Sequence, residues 1–486
     1  MQPSIFNVRV PLPERNEVFL MNTLTDAQLL VSPDVTDLLD RYTGDGSREA
    51  GSDEERQTLA LLEENGFLVP DRAYDRAALD RYFTSVKNDT HELSITLLTT
   101  LQCNFACDYC FQGDHGDYNK FADKMTLETA QKVADWIERE LDRVHPETFQ
   151  LTFFGGEPLL NLPVMYYLAG ELWARTEVRG VPMSISVITN GLLLTPDVVD
   201  RLKPYGLKGI KITLDGDRDT HNRMRPLRGG QGTFDRLIEN IRSVAGRTSI
   251  AIGGNFDESS ADSFSGLIDF LSRQDFADQL VNVNFKPIVR NEKTPRVSAT
   301  LAKGMLPLIP VAANGKPLKH SSAAAGLGAP LGGTCMSNVG EGSGVGCDSC
   351  DFLDDKMSLL REETKRHGFY TPDGVHGGPC HVHHTHAHTI GPDGSLYACP
   401  GFTGEKAMST GHIDGRRDAK REGALEQFER LHPWDECQDC AFIPTCAGGC
   451  LVASHTQLGD MNKPTCHKRS YESALISLAH DVASAA

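Results

Sequence analysis

Between Glu92 and Arg290, strand-like runs alternate with amphipathic helical segments. The predicted strands are Leu93–Leu98, Thr148–Phe153, Met183–Ile188, Gly209–Leu214, Ile250–Gly253 and Val281–Phe285. The helices predicted between them are Thr126–Arg143, Val164–Glu177, Pro196–Leu202, Phe234–Val244 and Ala261–Gln274. Such alternation favours a parallel sheet with functional groups at the carboxyl ends of its strands. Six βα units are too few for a closed eight-stranded barrel, so the sequence predicts an α/β fold, a partial (β/α)6 TIM-type barrel.

Three cysteines follow the first predicted strand: Cys103, Cys107 and Cys110 form a C-x3-C-x2-C pattern. A [4Fe-4S] cluster that only transfers electrons normally has four cysteine ligands, and a closed zinc site also needs four ligands. Three thiolates from one loop would leave one iron of a cubane cluster without a protein ligand, and chemistry could take place there. The alternative is a structural zinc site completed by a distant His or Cys.

Polar residues and glycines also follow the next predicted strands, on the same expected rim. Adjacent glycines allow a close backbone approach to a ligand, and a carboxylate can accept hydrogen bonds from an ammonium group. The alternative for the second strand is a tight turn with a solvated glutamate. We expect the group to bind the hydroxyls and carboxylate of a nucleoside-amino acid. Its members are Gly155, Gly156, Glu157, Asn190, Asp215, Arg225 and Asn255.

The ordered motifs C-x3-C-x2-C, G-G-E-P, T-N-G and L-D-G with a downstream H-x3-R-P resemble those of the radical S-adenosylmethionine (SAM) enzymes. The resemblance implies that the cluster of the three loop cysteines binds SAM through its free iron. One electron then cleaves SAM to methionine and a 5′-deoxyadenosyl radical, which abstracts hydrogen from a substrate. It also implies that Glu157 meets the methionine ammonium, and that Asn190 and Asp215 lie near ribose or methionine.

A second series of cysteines lies near the end of the chain and resembles the SPASM extension of radical SAM enzymes that act on peptides and proteins. The resemblance implies two auxiliary [4Fe-4S] clusters, and therefore three clusters together with SAM as the cofactors. One auxiliary cluster would be held by Cys437, Cys440, Cys446 and Cys466. The other would be held by Cys380, Cys399 and Cys450 with one upstream ligand.

Three cysteines remain: Cys335, Cys347 and Cys350. We expect Cys350 to complete the Cys380 cluster, although it lies further upstream than the usual spacing. The C-x2-C pair that it forms with Cys347 could instead bind zinc or act as a redox dithiol. A histidine tract beside Cys380, from His381 to His388, could bind metal or relay protons. The simpler interpretation is a strand with alternating, partly exposed histidines.

The first 75 or so residues are predicted to form a small α+β unit, in a pattern that ends in G-F-L-V. Its predicted strands are Phe6–Val10, Val18–Met21 and Phe67–Val69, with two helices between the last two of them. It resembles the winged-helix leader-recognition domain of enzymes that modify ribosomal peptides (the PqqD-like type); a structural or dimerising role is the alternative. The predicted domains are residues 1–88, the barrel at 89–300, a linker at 301–376 that includes the Gly/Ala/Ser-rich stretch 314–346, and the cysteine-rich iron-sulfur domain at 377–486.

Composition narrows the function classes. The net charge of −18 disfavours binding to nucleic-acid phosphates, and no uncharged apolar run reaches the length of a membrane span. The first residues do not resemble a signal peptide, so we expect a soluble cytoplasmic protein whose 13 cysteines are reduced and available as ligands.

The resulting hypothesis is a radical SAM maturase that installs a thioether or carbon-carbon cross-link in a leader-bearing precursor peptide, with an external electron donor of the flavodoxin or ferredoxin type. A sulfatase maturase that forms formylglycine is the alternative. Members of that kind carry an aspartate after the cysteine that corresponds to Cys399, where this chain has Pro400. A non-catalytic zinc or iron-sulfur scaffold, or an electron carrier, is the alternative of another class.

Overall fold

The computed structural model describes residues 1–42, 52–110, 112, 122–289, 348–416 and 419–486, and within these ranges the side chains of 348–351 and 419–420 are not described. The predictions for the linker 314–346 and for Cys335 and Cys347 lie outside the described residues. Cys350 is described only as a backbone position in a helix.

The N-terminal unit holds a three-stranded antiparallel sheet and a two-stranded pair. Its elements are β1 (Gln2–Pro3), β2 (Asn7–Leu12), β3 (Glu17–Asn22), β4 (Ala27–Val31), α1 (Pro33–Asp40), α2 (Asp53–Glu64), β5 (Leu68–Val69) and α3 (Arg72–Lys87). Of these, β1, β4 and α3 were not predicted. The unit packs against the cysteine-rich region: the Phe83 ring stacks on Trp434 with centroids 3.9 Å apart, and the Tyr82 hydroxyl donates to the Pro444 carbonyl over 3.1 Å.

Six strands of the central region run parallel to one another, as the alternating pattern predicts. They are β6 (Glu92–Leu98), β7 (Thr148–Phe154), β8 (Met183–Thr189), β9 (Leu207–Thr213), β10 (Ser249–Phe256) and β11 (Leu280–Pro287). They lie side by side in the order of the sequence, from β6 to β11. The prediction of a partial α/β barrel is therefore confirmed.

Helices connect these strands and cover one face of the sheet. They are α4 (Leu127–Val144), α5 (Leu162–Arg179), α6 (Pro196–Leu202), α7 (Arg218–Met224), α8 (Phe234–Val244) and α9 (Ser263–Ser272). Every second strand residue, such as Leu151, Ile185 and Ile210, is buried in the core beneath these helices. The intervening residues point to the inner face of the barrel, because side chains alternate along a strand.

Within the predicted linker 301–376, the described part contains a helix, α10 (Asp348–Arg366), which packs against β11 and against the last helix of the chain. The cysteine-rich region follows. Its elements are β12 (Ala387–Ile390), β13 (Ser395–Tyr397), β14 (Gly411–His412), α11 (Ala419–Glu429), α12 (Ile443–Cys446), α13 (Leu451–Ala453) and α14 (Lys468–Ala485).

The cysteine-rich region extends the barrel sheet, which the sequence did not predict. β12 runs parallel to β6 and pairs with it. The sheet thereby has nine described strands, in the order β11-β10-β9-β8-β7-β6-β12-β13-β14.

The interpretation of the histidine tract as a strand is wrong for most of its length, while the expected partial exposure holds for His383, His384 and His388. His381–His383 form a 3-10 turn, and only His388 of the tract's histidines lies in β12. His386 is buried, and the His388 ring packs edge-on against Trp136 of α4. The physical reason is that β12 adds to the edge of the barrel sheet, so α4 covers side chains that a free hairpin would expose. None of the described helices has the length and apolar character of a membrane span.

Candidate active site

The loop that carries Cys103, Cys107 and Cys110 leaves the carboxyl end of β6 and lies against the turn after β7. The Gly156 amide donates to the Thr100 carbonyl and the Glu157 amide to the Gln102 carbonyl, each over 2.8 Å. A Cβ at Gly156 would lie 2.2 Å from the Gln102 carbonyl oxygen. The glycine pair therefore has a role that needs no ligand, since it lets the two loops pack backbone against backbone and fixes where the cysteine loop begins.

Gly155 also lets the two loops pack closely, because of its backbone conformation as well as its missing side chain. Its φ of +135° is one that residues with a side chain rarely adopt, and a Cβ there would lie 2.3 Å from the Thr100 carbonyl oxygen. The prediction that these glycines contact a cofactor stays a prediction.

Glu157 is fully buried, so the interpretation as a solvated turn residue is wrong. Its Oε1 accepts hydrogen bonds from the Thr189 hydroxyl over 2.7 Å and the Leu159 amide over 3.0 Å, and its Oε2 accepts one from the Asn190 amide over 2.8 Å. Burial raises the pKa of the Glu157 carboxyl, and these hydrogen bonds act against the rise. The carboxylate thereby ties the ends of β7 and β8 together.

Asn190 connects this carboxylate to the cysteine loop. Its side-chain amide donates to Asn104 Oδ1 over 2.7 Å and lies 3.8 Å from Cys103 Sγ. Asn190 thus lies directly beside a predicted cluster ligand, on the rim where the resemblance expects SAM.

Asp215 is also fully buried, at the carboxyl end of β9. Its Oδ1 accepts the Asn255 amide hydrogen over 2.7 Å, and its Oδ2 accepts a short hydrogen bond from the Tyr109 hydroxyl and lies 3.4 Å from Arg225 Nη1. Arg225 also donates to the Tyr109 hydroxyl over 2.5 Å. The predicted residues Asp215, Arg225 and Asn255 are therefore brought together around a tyrosine of the cysteine loop.

His221 supports this network from the helix side. Its Nδ1 accepts the Asp215 amide hydrogen over 3.1 Å, so the ring proton lies on Nε2, which bonds to the Thr233 hydroxyl over 3.0 Å. That hydroxyl donates to the Arg225 carbonyl over 2.9 Å. Burial holds the pKa of His221 well below its usual value, so the ring is neutral. The motif H-x3-R-P identified His221, but no sequence signal marks Thr233 or the bonds of Tyr109.

The three loop thiols are close enough to affect one another's ionisation. Burial is the main cause that raises the pKa of Cys103 to about 11, and it also raises that of Cys107; the neighbouring thiols add to both effects and the Arg225 guanidinium opposes them. Cys103 and Cys107 are half-buried while Cys110 is exposed. A buried cation beside neighbouring thiols suits thiolates bound to a cluster of net negative charge.

The C-terminal cysteines fall into two groups, within each of which the thiols raise one another's pKa. The pKa of Cys437 is raised first by burial and then by three other thiols. Those three are Cys440, Cys446 and Cys466. The second group is Cys380, Cys399 and Cys450, because burial followed by the other two thiols raises the pKa of Cys399 to about 12. These are the two sets that the SPASM resemblance implies.

The position of helix α10 bears on Cys350. Asp354, one turn after Cys350 in this helix, lies 3.2 Å from His467 Nδ1, and His467 directly follows Cys466. The start of α10 is therefore near Cys466 of the four-cysteine group, and the assignment of Cys350 as the missing ligand of the Cys380 group stays a prediction.

The donor set fits iron-sulfur clusters better than single ions. Across the described ranges, no three His, Cys, Asp or Glu side chains converge closely enough to hold one metal ion. A cubane of four irons spaces its thiolates more widely than a single zinc ion does. The three groups, of three, four and three thiols, are compatible with the wider spacing of cluster ligands.

Comparison with known proteins agrees with this geometry. Residues 97–254 match the family model of the radical SAM superfamily. The radical SAM cyclopropyl synthase TigE of Paramaledivibacter caminithermalis is 23% identical over 205 residues, which cover 40% of this chain and 42% of TigE. The chain thus spans less than half the length of TigE. The serine-type anaerobic sulfatase-maturating enzyme of Klebsiella aerogenes is 24% identical over 367 residues, covering 72% of this chain and 76% of that enzyme.

Solved structures share the fold. Native anSMEcpe with bound AdoMet superposes with a TM-score of 0.55 at 16% identity, covering 80% of this chain and 99% of that chain. The structure of native anSMEcpe with bound AdoMet and the Kp18Cys peptide gives a TM-score of 0.55 at 15% identity, covering 81% of this chain and 99% of that chain. Residues 97–254, about a third of the chain, therefore carry the radical SAM domain that the family model describes.

Proposed function

We propose that this protein is a radical SAM peptide maturase that installs a cross-link, a thioether or a carbon-carbon bond, in a ribosomally made precursor peptide. The observation that carries the proposal is the cysteine loop, held at the barrel rim by Glu157 and Asn190 on one side and by Asp215 and Arg225 on the other. When bound, a [4Fe-4S] cluster with SAM supplies a 5′-deoxyadenosyl radical that removes hydrogen from the substrate.

The residues of the chain hold and orient that chemistry. Cys103, Cys107 and Cys110 are the ligands of the SAM-binding cluster in this proposal. Asn190, fixed by the Glu157 carboxylate, orients the SAM molecule, and Arg225 offsets negative charge beside Cys107. Cys380, Cys399 and Cys450 with Cys350, and the four-cysteine group around Cys446, hold two auxiliary clusters that accept the remaining electron or bind a substrate thiolate.

A peptide substrate is supported by two features. The related fold of anSMEcpe has been solved with the Kp18Cys peptide bound. In this chain, the N-terminal unit packs on the cysteine-rich region through Phe83 and Trp434, which would bring a bound leader close to the auxiliary clusters. An external flavodoxin- or ferredoxin-type protein would supply the electron.

Formylglycine formation is the second candidate function. It is favoured by the match to the Klebsiella sulfatase-maturating enzyme, which extends over 72% of this chain. It is disfavoured by Pro400, because proline offers no carboxylate base beside Cys399.

One experiment separates the two. The anaerobically purified enzyme is incubated with SAM, reductant and two kinds of peptide: the cysteine-containing precursor candidates encoded beside its gene, and a Cys-type sulfatase peptide. The proposal expects a precursor to lose two hydrogen atoms and to give cross-linked fragments in tandem mass spectrometry. Replacement of sulfur by an aldehyde oxygen in the sulfatase peptide, with the precursors unchanged, would establish the rival function instead.

A further inference from the structure

The inner face of the barrel is lined mainly by small uncharged side chains. Strand alternation places polar residues of β6, β7 and β8 there, opposite the apolar set that packs on the helices. They are Ser94, Thr96, Thr152, Ser184 and Ser186. On the same face, β6 carries one carboxylate, Glu92, at its amino end. The strands β9 and β11 carry two cations there, Lys211 and Lys286.

The sheet register places both cations near the candidate active site. Lys211 is paired with Ala251 of β10, and its side chain runs toward the carboxyl end of the sheet over Gly253, where a Cβ would lie 2.5 Å from Lys211 Cε. Lys286 is paired with Asn255, the residue whose amide binds Asp215. The absence of a side chain at Gly253 thus leaves a path that brings the first ammonium group toward the second.

Neither lysine is neutralised by a neighbour in the part of the chain that the structure describes, since no hydrogen bond or ion pair involves either ammonium group there. Lys211 is half-buried, and burial, followed by the charge of Lys286, lowers its pKa. Lys286 is exposed, and its charge also reaches Cys380 and Cys399 of the second auxiliary group. Among the described residues, two cations without carboxylate partners therefore share this face, in a chain whose net charge is −18. One of them, Lys286, lies beside the rim residue Asn255 and within electrostatic reach of a predicted auxiliary cluster.

We propose that Lys211 and Lys286 bind a carboxylate of the substrate, so that the modified peptide carries an acidic residue next to the site of hydrogen abstraction. This inference rests on the proposed function and narrows its substrate class. The physical reason is that two like charges close together, one of them half-buried, are unfavourable. A bound anion relieves the repulsion between them and the desolvation of Lys211. A carboxylate that bridges two ammonium groups is fixed in position as well as bound.

A half-buried asparagine on the same face offers a second polar contact. Asn282 of β11 is paired with Ala251, at the level of Lys211, and its Oδ1 is buried without a hydrogen-bond partner in the described structure. A backbone or side-chain N–H of the peptide would satisfy that oxygen, as buried acceptors usually are. The lysines therefore select charge, and Asn282 is available to a neighbouring amide.

The test measures binding to the anaerobically purified holoenzyme with SAM, by equilibrium dialysis of synthetic eight-residue peptide pools. One pool has Glu at a fixed central position and an amidated C-terminus, the second has Gln there, and a third has Gln with a free C-terminal carboxylate. We expect the Glu pool to bind at least about tenfold tighter than the Gln pool, the scale of a hydrogen bond to a charged group. Tight binding of the third pool alone would overturn the assignment to an acidic side chain, and equal binding of all pools would overturn the proposal.

Matched variants locate the effect. Lys211→Gln and Lys286→Gln should each reduce the preference for Glu over Gln by about tenfold, while Lys286→Arg, which keeps the charge, should retain it. Lys208→Gln is the control, because Lys208 lies on the same strand β9 but is exposed on the opposite face. A preference for Glu that persists in both Gln variants, or that Lys208→Gln reduces equally, would refute the site.

The failure of this inference can be distinguished from the failure of the proposed function. Release of 5′-deoxyadenosine from SAM by the wild-type enzyme with dithionite, without peptide, tests the radical SAM chemistry alone. If SAM is cleaved and no pool is preferred, the substrate inference is wrong while the radical SAM part of the proposed function stands. If SAM is not cleaved, the proposed function itself is wrong.

Discussion

Replacing Arg225 by methionine should destabilise the barrel strongly. The Arg225 guanidinium is almost fully buried, lies 3.4 Å from the fully buried Asp215 carboxylate and donates over 2.5 Å to the Tyr109 hydroxyl. Removing one member of a buried ion pair leaves the other charge unpaired and costs about 3–5 kcal/mol. Each kcal/mol lowers the melting temperature of a domain of this size by about 2–4 °C, so the expected decrease is about 6–20 °C.

The control is Arg223→Met, in helix α7, which ends directly before Arg225; Arg223 is exposed. Exposed substitutions of this kind change stability by about 0.5 kcal/mol or less, so that variant should melt within about 2 °C of wild type. The assay is thermal unfolding of the anaerobic holoenzyme followed by near-UV circular dichroism, with all variants at equal iron content. Arg225→Met and Arg223→Met proteins that melt at the same temperature would refute the role assigned to the buried pair.

Three further predictions test other parts of the structure. Gly156→Ala should lower the iron content measured after reconstitution, because its Cβ would meet a carbonyl of the cysteine loop at 2.2 Å; Gly170→Ala, whose Cβ makes only an ordinary 3.7 Å contact, should retain full iron. Phe83→Ala should lower the free energy of unfolding by about 3–5 kcal/mol and make the N-terminal unit more sensitive to limited proteolysis, because it removes the ring stacked on Trp434. Tyr74→Ala, at an exposed position, should do neither. Equal proteolysis of the two variants would argue against the stacked contact. Partial burial lowers the pKa of His376, but two neighbouring aspartates outweigh that effect and raise it. The protonated ring should therefore stabilise the protein by about 1 kcal/mol or less below about pH 6.5, and this contribution should be lost as the pH rises through the raised pKa. A melting profile of His376→Gln that equals that of the wild type between about pH 5.5 and 8.5 would contradict this.

The barrel was predictable from sequence because each of its strands and helices has a strong local signal. The helices α6 and α8 begin and end at the predicted residues, since a capping or apolar pattern marks both ends. The pairing of β12 with β6 was not predictable. β12 has only four residues, and its partner lies in a distant part of the chain, so no local pattern encodes the contact.

In the candidate active site, too, features with a local sequence signal were predictable, and contacts between separate loops were not. The sequence predicted that Glu157, Asn190 and Asp215 lie on one rim, because each follows a parallel strand. It did not predict that both carboxylates are fully buried and satisfied by Thr189, Asn190, Asn255 and Tyr109, because those bonds depend on how the loops pack. Helix α3 was missed for a related reason: its buried residues face another part of the chain, at Trp434, and its apolar pattern is weak.

The central claim is that Cys103, Cys107 and Cys110 hold a cluster that cleaves SAM. The most direct measurement combines iron analysis with 5′-deoxyadenosine formation, for wild type and Cys107→Ala, after anaerobic purification and reduction with dithionite. We predict about twelve irons per wild-type chain, about eight in Cys107→Ala, and 5′-deoxyadenosine from the wild type alone. A Cys107→Ala protein that still cleaves SAM, or a wild-type protein that contains zinc in place of iron, would contradict the claim.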